Sequence, residues 1–191
     1  MKATSLLRPL LAVCALALAT VTPPLLAQDN KMPEMPKPQT EHKWLEKFVG
    51  TWESEMECTA PGQEPMKMKA TDTIRMLGGF WMVSETKGEA MGQAFNGVMS
   101  LGYSPEKKAY VGTWVDSMNS TIWYYTGTLN AEGDTLTLET EGPCPMQGGK
   151  VCKVKEVMKL TGKDEKTFSS SVLGDDGKWT QMMSGKSKRV K

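Results

Sequence analysis

From Gly50 onward the chain never runs much more than a dozen residues without a turn signal, and between turns apolar and polar residues alternate. That period of two is the signature of half-buried strands, because successive side chains of a strand point to opposite faces. In the segment 66–77, Met66, Met68, Ala70, Ile74 and Met76 fall on one side, and Lys67, Lys69, Thr71, Thr73 and Arg75 on the other. Gly78-Gly79, Ser104-Pro105-Glu106-Lys107-Lys108 and Asn130-Ala131-Glu132-Gly133-Asp134 supply turns, and similar Gly- and Asp-rich breaks separate the later segments. About ten strands result, and no helical period follows Val49. Short connections pair each strand antiparallel with its neighbour in sequence. Ten such strands remove their exposed edges by closing into an up-and-down barrel, and the loops are too short for the crossovers of a two-sheet sandwich. The expectation is an all-β domain, an antiparallel barrel spanning 50–190.

Ahead of the strands, Trp44, Leu45 and Phe48 share one helical face, so residues 41–49 read as a short amphipathic helix with Thr40 as N-cap and Gly50 as its end. The domain thus covers 40–191. Residues 28–39 hold three prolines and no apolar period, and read as a flexible linker. Residues 1–27 read as a removable export signal: Lys2 and Arg8, an uncharged run from Leu10 to Val21, Pro23-Pro24, and Ala27 before the cleavage point. A membrane anchor needs about 20 apolar residues, and the proline pair cuts this run short. Cys14 sits inside the run rather than at its end, so lipid attachment is set aside. The expected location is the periplasm or the exterior.

Without Lys2 and Arg8 the remaining chain has 21 bases against 22 acids, which excludes nucleic acid as a main partner because phosphate binding needs a basic excess. The basic terminus Lys186–Lys191 reads as a solvated tail. An oxidising compartment favours pairing two of Cys58, Cys144 and Cys152. Cys144 and Cys152 flank a loop-like segment and form the candidate disulfide, with Cys58 open to either partner. No C-x-x-C occurs, so neither a thioredoxin-type site nor a zinc site of common spacing is indicated.

Gly50-Thr51-Trp52, following a short helix and opening the first strand, resembles the G-x-W signature of lipocalins and their calycin relatives. In those barrels the Trp packs at the closed end under a late Arg, for which Arg189 is the matching position. Longer stretches resemble the bacterial family of domain of unknown function 1579: Arg75–Trp81, Leu101–Pro105, Tyr110–Met118 and Gly174–Gly177. The resemblance implies a calycin-like barrel but does not imply an activity, because the family is named for the lack of one.

Candidates for a site come from strand alternation. Trp81 and Glu85 share a face, as do Met99, Leu101 and Tyr103; Trp114 and Asp116 share another, and Trp123 and Tyr125 a fourth. Aromatics mixed with an acid suit a cavity for a small, partly apolar ligand, with Arg75, Glu85 and Asp116 as polar contacts. The expected function is therefore non-catalytic binding of a small amphipathic molecule. A second reading has the same aromatics fill the barrel, leaving an interaction protein. An enzymatic alternative follows from resemblance to phenolic acid decarboxylases, with Tyr103 or Tyr125, Arg75 and Glu85 as acid, anchor and base. His42 is the one histidine and lies outside the strands, which leaves a Ser-His or Cys-His pair without a base and a haem of the nitrobindin type without its axial ligand. Met32, Met35, His42, Cys144 and Met146 form soft clusters of a kind that bind Cu(I), confined to the linker, helix and loop. No metal or cofactor is expected in the barrel.

Overall fold

The computed structural model describes residues 34–190 apart from 60, 61, 63, 91 and 145–148. The expected export signal over 1–27, residues 28–33 of the expected linker and Met146 lie outside the described residues. Residues 34–39 take no regular secondary structure and are exposed.

Ten strands follow one short helix. They are β1 Gly50–Cys58, β2 Met66–Leu77, β3 Trp81–Ala90, β4 Gln93–Ser104, β5 Ala109–Asp116, β6 Trp123–Leu129, β7 Thr135–Pro143, β8 Val151–Leu160, β9 Glu165–Leu173 and β10 Trp179–Arg189. Each pairs antiparallel with its sequence neighbours, and β1 pairs with β10, so the meander closes into a barrel without an edge. The closing seam is long, from Trp52 opposite Arg189 to Cys58 opposite Met183. Closure satisfies the backbone donors and acceptors that an open sheet would leave at two edges.

The helix, α1 Thr40–Leu45, continues as a single 3-10 turn over Glu46–Phe48. Its N-cap is Gln39 rather than Thr40, and the Gln39 backbone N–H donates to His42 Nδ1 at 3.0 Å. A ring nitrogen at the third helical position thus accepts the N-cap N–H, the role that a capping box gives to Glu or Gln. Trp44, Leu45 and Phe48 are buried as the helical stripe requires. They join Trp52, Ile74, Met82, Leu101 and Tyr110 in one core that plugs this end of the barrel. Three polar edges of the plug meet backbone carbonyls. Trp44 Nε1 donates to the Gly133 carbonyl at 2.8 Å, Trp52 Nε1 to the Phe48 carbonyl at 2.7 Å, and the Tyr110 hydroxyl to the Glu41 carbonyl at 3.2 Å.

Arg189 closes the plug from outside, its guanidinium 4.2 Å from the Trp52 ring centre. The same group donates to the Val49 and Lys47 carbonyls and, through Nε, to Asp164 at 3.0 Å. A cation over an indole face combined with several carbonyl contacts locks the last strand onto the turn before the first. That is the arrangement the Gly50–Trp52 triplet implied. Among the described residues no helix is long and apolar enough to cross a membrane.

Candidate functional site: a methionine-lined cavity

The inner faces of the strands do not fill the barrel. Between the plug and the opposite rim lies a cavity of about 500 Å³. Its walls carry Met56, Met68, Met82, Met99 and Met158 together with Phe95, Trp114, Tyr125 and Phe168. Cys58, Met66, Ala90 and Met118, at or just beyond the strand ends opposite the helix, line its mouth. Thioether side chains have three rotatable bonds and a polarisable sulfur, so a wall built from them adapts to the shape of an apolar guest.

Polar groups enter this apolar space at three places. The floor, just above Trp52, holds a network centred on Asp72. Its carboxylate accepts from Ser54 Oγ at 3.0 Å, from Thr86 Oγ1 at 2.7 Å and from Lys166 Nζ at 3.2 Å. Ser54 and Ser187 share a further hydrogen bond of 2.8 Å, and Lys166 Nζ lies 4.9 Å from the Trp52 ring centre. Both ends of the ion pair are mostly enclosed, with side chains 11% and 14% exposed. Burial pushes the Lys166 ammonium below its ordinary range, and Asp72 pulls it back up. The pair is internally neutral, and its carboxylate has three donors.

At the rim, Asp116 accepts from the Trp114 indole at 2.9 Å and from the backbone N–H groups of Met118 and Asn119. The Asn119 side-chain amide adds further bonds, so the carboxylate organises the loop after β5 as well as the indole. Trp114 in turn stacks on Phe95 with ring centres 6.2 Å apart. It lies over Gly97, where an added Cβ would come within 2.2 Å of the indole.

On the wall, Glu156 stands with Tyr125. Burial raises the Glu156 carboxyl from 4.5 to about 7, and the Tyr125 hydroxyl bond offsets this in part. Burial, followed by the Glu156 charge, pushes the Tyr125 phenol well above its ordinary range.

Three of the eight site residues expected from sequence, Trp114, Asp116 and Tyr125, line this cavity. The others do not. Arg75, Trp81 and Glu85 lie on the outer face, because the inward positions of β2 and β3 are Asp72, Ile74, Met82, Ser84 and Thr86. Trp81 covers Gly102 from outside, where an added Cβ would meet its ring at 2.6 Å. Tyr103 points inward but sits under the helix, in edge contact with His42 and Tyr110. Trp123 is also inward but packs into a satellite cluster with Cys144, Cys152 and Val154 beside the mouth. The anchor and base of the enzymatic alternative, Arg75 and Glu85, therefore do not meet a tyrosine inside the barrel. His42 is buried in the plug against Phe80, its Nδ1 occupied by the helix cap.

Cys144 and Cys152 are buried, free thiols on the β7–β8 hairpin. They are close enough that burial first, and then a hydrogen bond to Cys144, push the Cys152 thiol up to about 11. Cys58 stands apart from them at the cavity mouth and is likewise free.

Reasoning from sequence missed Asp72, Glu156 and Lys166. The signal was present: each is the lone charge on the inward face of its strand. Asp72 interrupts Met66, Met68, Ala70, Ile74 and Met76; Glu156 interrupts Cys152, Val154, Met158 and Leu160; Lys166 leads into Phe168 and Val172.

A closed ten-stranded antiparallel barrel, plugged by a helix at one end and hollow toward the other, is the class of protein that fold and cavity define. The chain belongs to the family described as protein of unknown function (DUF1579), whose model matches residues 37–189. Among solved structures it is similar to Rv2717c from M. tuberculosis, at 12% identity and a TM-score of 0.56, covering 81% of this chain and 100% of that one. It is also similar to the S-type phycobiliprotein lyase CPES from Guillardia theta, at 15% identity and a TM-score of 0.52, covering 81% of this chain and 99% of that one. At these identities both likenesses speak for the fold alone. No curated protein matches the sequence.

Proposed function

We propose that this protein is a calycin-like, non-catalytic binder of a small amphipathic molecule held in the barrel. The observation that carries this reading is the cavity of about 500 Å³, walled by methionines and aromatics and provided with a few placed polar groups. Ligand sites of proteins fall in that size range and have that composition. Export to the periplasm or beyond belongs to the same proposal, supported by the charge and apolar pattern of residues 1–27. Mature protein beginning at Gln28 is the mass expected from cells.

The test is a panel of small amphipathic compounds read by thermal shift and tryptophan fluorescence. A ligand should raise the melting temperature and quench Trp114, and Trp114→Ala should lose the quench and most of the affinity while remaining folded. Unchanged melting and fluorescence across the panel would sink the proposal.

One observation supports a second reading, an interaction surface. Val98 and Val115 pair across β4 and β5 on the outer face, each about 40% exposed, with Tyr124 exposed on β6. Concentration-dependent self-association lost in Val115→Lys is its expected sign.

A further inference from the structure

We infer that the ligand carries a protonated amine, and that the Glu156 carboxylate on β8 receives it inside the cavity. This deepens the binding proposal and rests on it.

Charge balance along the lining comes first. Four carboxylates, Asp72, Glu89, Asp116 and Glu156, face two ammonium groups, Lys69 and Lys166. Lys69 stands in solvent at the mouth, its side chain 86% exposed and 3.7 Å from Glu55. Lys166 is held by Asp72 on the floor. Among the described lining residues no base is left to meet an anion, so a ligand carboxylate or phosphate would enter a space of its own sign, at a cost of several kcal/mol in a low-dielectric site.

Second, the carboxylates differ in what already satisfies them. Asp72 has three side-chain donors and Asp116 four, counting Trp114, Asn119 and two backbone N–H groups. Around Glu156 the elements packed on β8 supply much less. Leu138 faces it from β7 and Ser170 from β9, each as its ladder partner, and Tyr125 reaches it from β6. Of the other charged groups of the lining, Asp116 is engaged with the β5 loop and Asp72 and Lys166 with each other, while Glu89 is exposed to solvent at the mouth. A carboxylate has about four lone-pair sites, and one phenol fills one of them. The balance is left for a guest.

Third, the surroundings suit a cation with an apolar body. Phe168, Met158, Met99 and Trp114 line the same cavity. Aromatic faces and thioethers accept alkyl or aryl groups, and the ring faces also attract an ammonium. Such a ligand would pair with the ionised form of Glu156. Its binding therefore expels the proton that burial holds on this group up to about pH 7. Affinity should rise about tenfold per pH unit below neutrality and level off above it.

The experiment compares decylamine, decanol and decanoate by calorimetry at pH 8, three probes that share one chain and differ in head group. Decylamine should bind at least tenfold more tightly than decanol, and decanoate should be the weakest. Glu156→Gln should erase the preference of amine over alcohol while moving decanol affinity less than threefold. A wild-type readout covers the event that this variant fails to fold: at pH 6.5, decylamine binding measured in buffers of different ionisation enthalpy should release most of one proton, and decanol none. Decanol or decanoate matching the amine, a preference that survives Glu156→Gln, or absence of proton release would overturn the amine while leaving the cavity reading intact. Failure of all three probes to bind would overturn both.

Discussion

At the helix end of the barrel the inward residues are Trp52, Leu101, Tyr110, Leu136 and Leu138, with Leu45 and Phe48 brought in from outside, and little space remains between them. Toward the other end the inward residues include Met56, Met68 and Met99 with Trp114 and Tyr125, and a cavity of about 500 Å³ is left. Rigid, branched and aromatic groups interlock into a single arrangement, whereas thioethers tolerate a gap and can reshape around a guest. Polar groups divide along the same line. In the plug the indole protons of Trp44 and Trp52 and the phenol proton of Tyr110 each meet a backbone carbonyl; in the cavity, Glu156 keeps acceptor capacity in reserve. With the proposed binding role, the division puts stability at one end and recognition at the other.

Breaking the plug should have the largest effect. Trp52→Ala removes a fully buried indole, its bond to Phe48 and the seat of Arg189. A loss of about 3–5 kcal/mol is expected by chemical denaturation, and a loss under 1 kcal/mol would refute the division.

The floor network comes next, because it borders both regions. Lys166→Ala leaves Asp72 buried without its cation and should cost about 3 kcal/mol. The double variant Asp72→Ala/Lys166→Ala should be the less harmful of the two, since it removes both charges. A double variant that loses the sum of two single losses would mean that the pair does not act as a unit.

The pH dependence sharpens the account at the wall. In the folded chain Glu156 titrates near 7, above its unfolded value of 4.5, so the folded state keeps a proton that the unfolded state gives up. Stability from this group is therefore complete below pH 4.5 and declines as pH rises through 7, by about 3 kcal/mol at most. Glu156→Gln should flatten the melting temperature over that window, and an unaltered slope would place the titration elsewhere.

Smallest of all should be the changes on the outer face. Arg75→Ala and Glu85→Gln should each shift stability by about 0.5 kcal/mol or less and leave ligand binding untouched. Loss of binding in either would restore the site first expected from the sequence.

The fold was legible because alternation and turn spacing are properties of neighbouring residues, and the meander needs nothing else. The segment 66–77 read from alternation is β2 as observed, and Trp52 under Arg189 followed from the resemblance. The cavity was legible in part. On β5 one face carries the aromatics and on β6 two of the three share the inner one, and Trp114, Asp116 and Tyr125 were found. On β3 both faces are mixed, and Trp81 drew the choice to the wrong one, because an outward indole covering Gly102 looks in sequence like an inward one. The buried charges were missed for the converse reason. Asp72 and Glu156 read as ordinary surface acids until the faces of their strands are fixed, and only closure of the barrel turns a lone acid among methionines into an enclosed one.

The central claim, that the barrel is hollow and its hollow takes a ligand, is tested most directly by filling it. Ala70 lines the cavity from β2, opposite Gly88 on β3, which leaves room for a larger side chain. Titration of wild-type protein and Ala70→Phe with the neutral fluorophore N-phenyl-1-naphthylamine measures the consequence. The account predicts one probe bound per wild-type chain, at least tenfold weaker binding in Ala70→Phe, and an undiminished melting temperature. Equal binding by the two proteins, or a variant that unfolds as an overpacked core would, contradicts it.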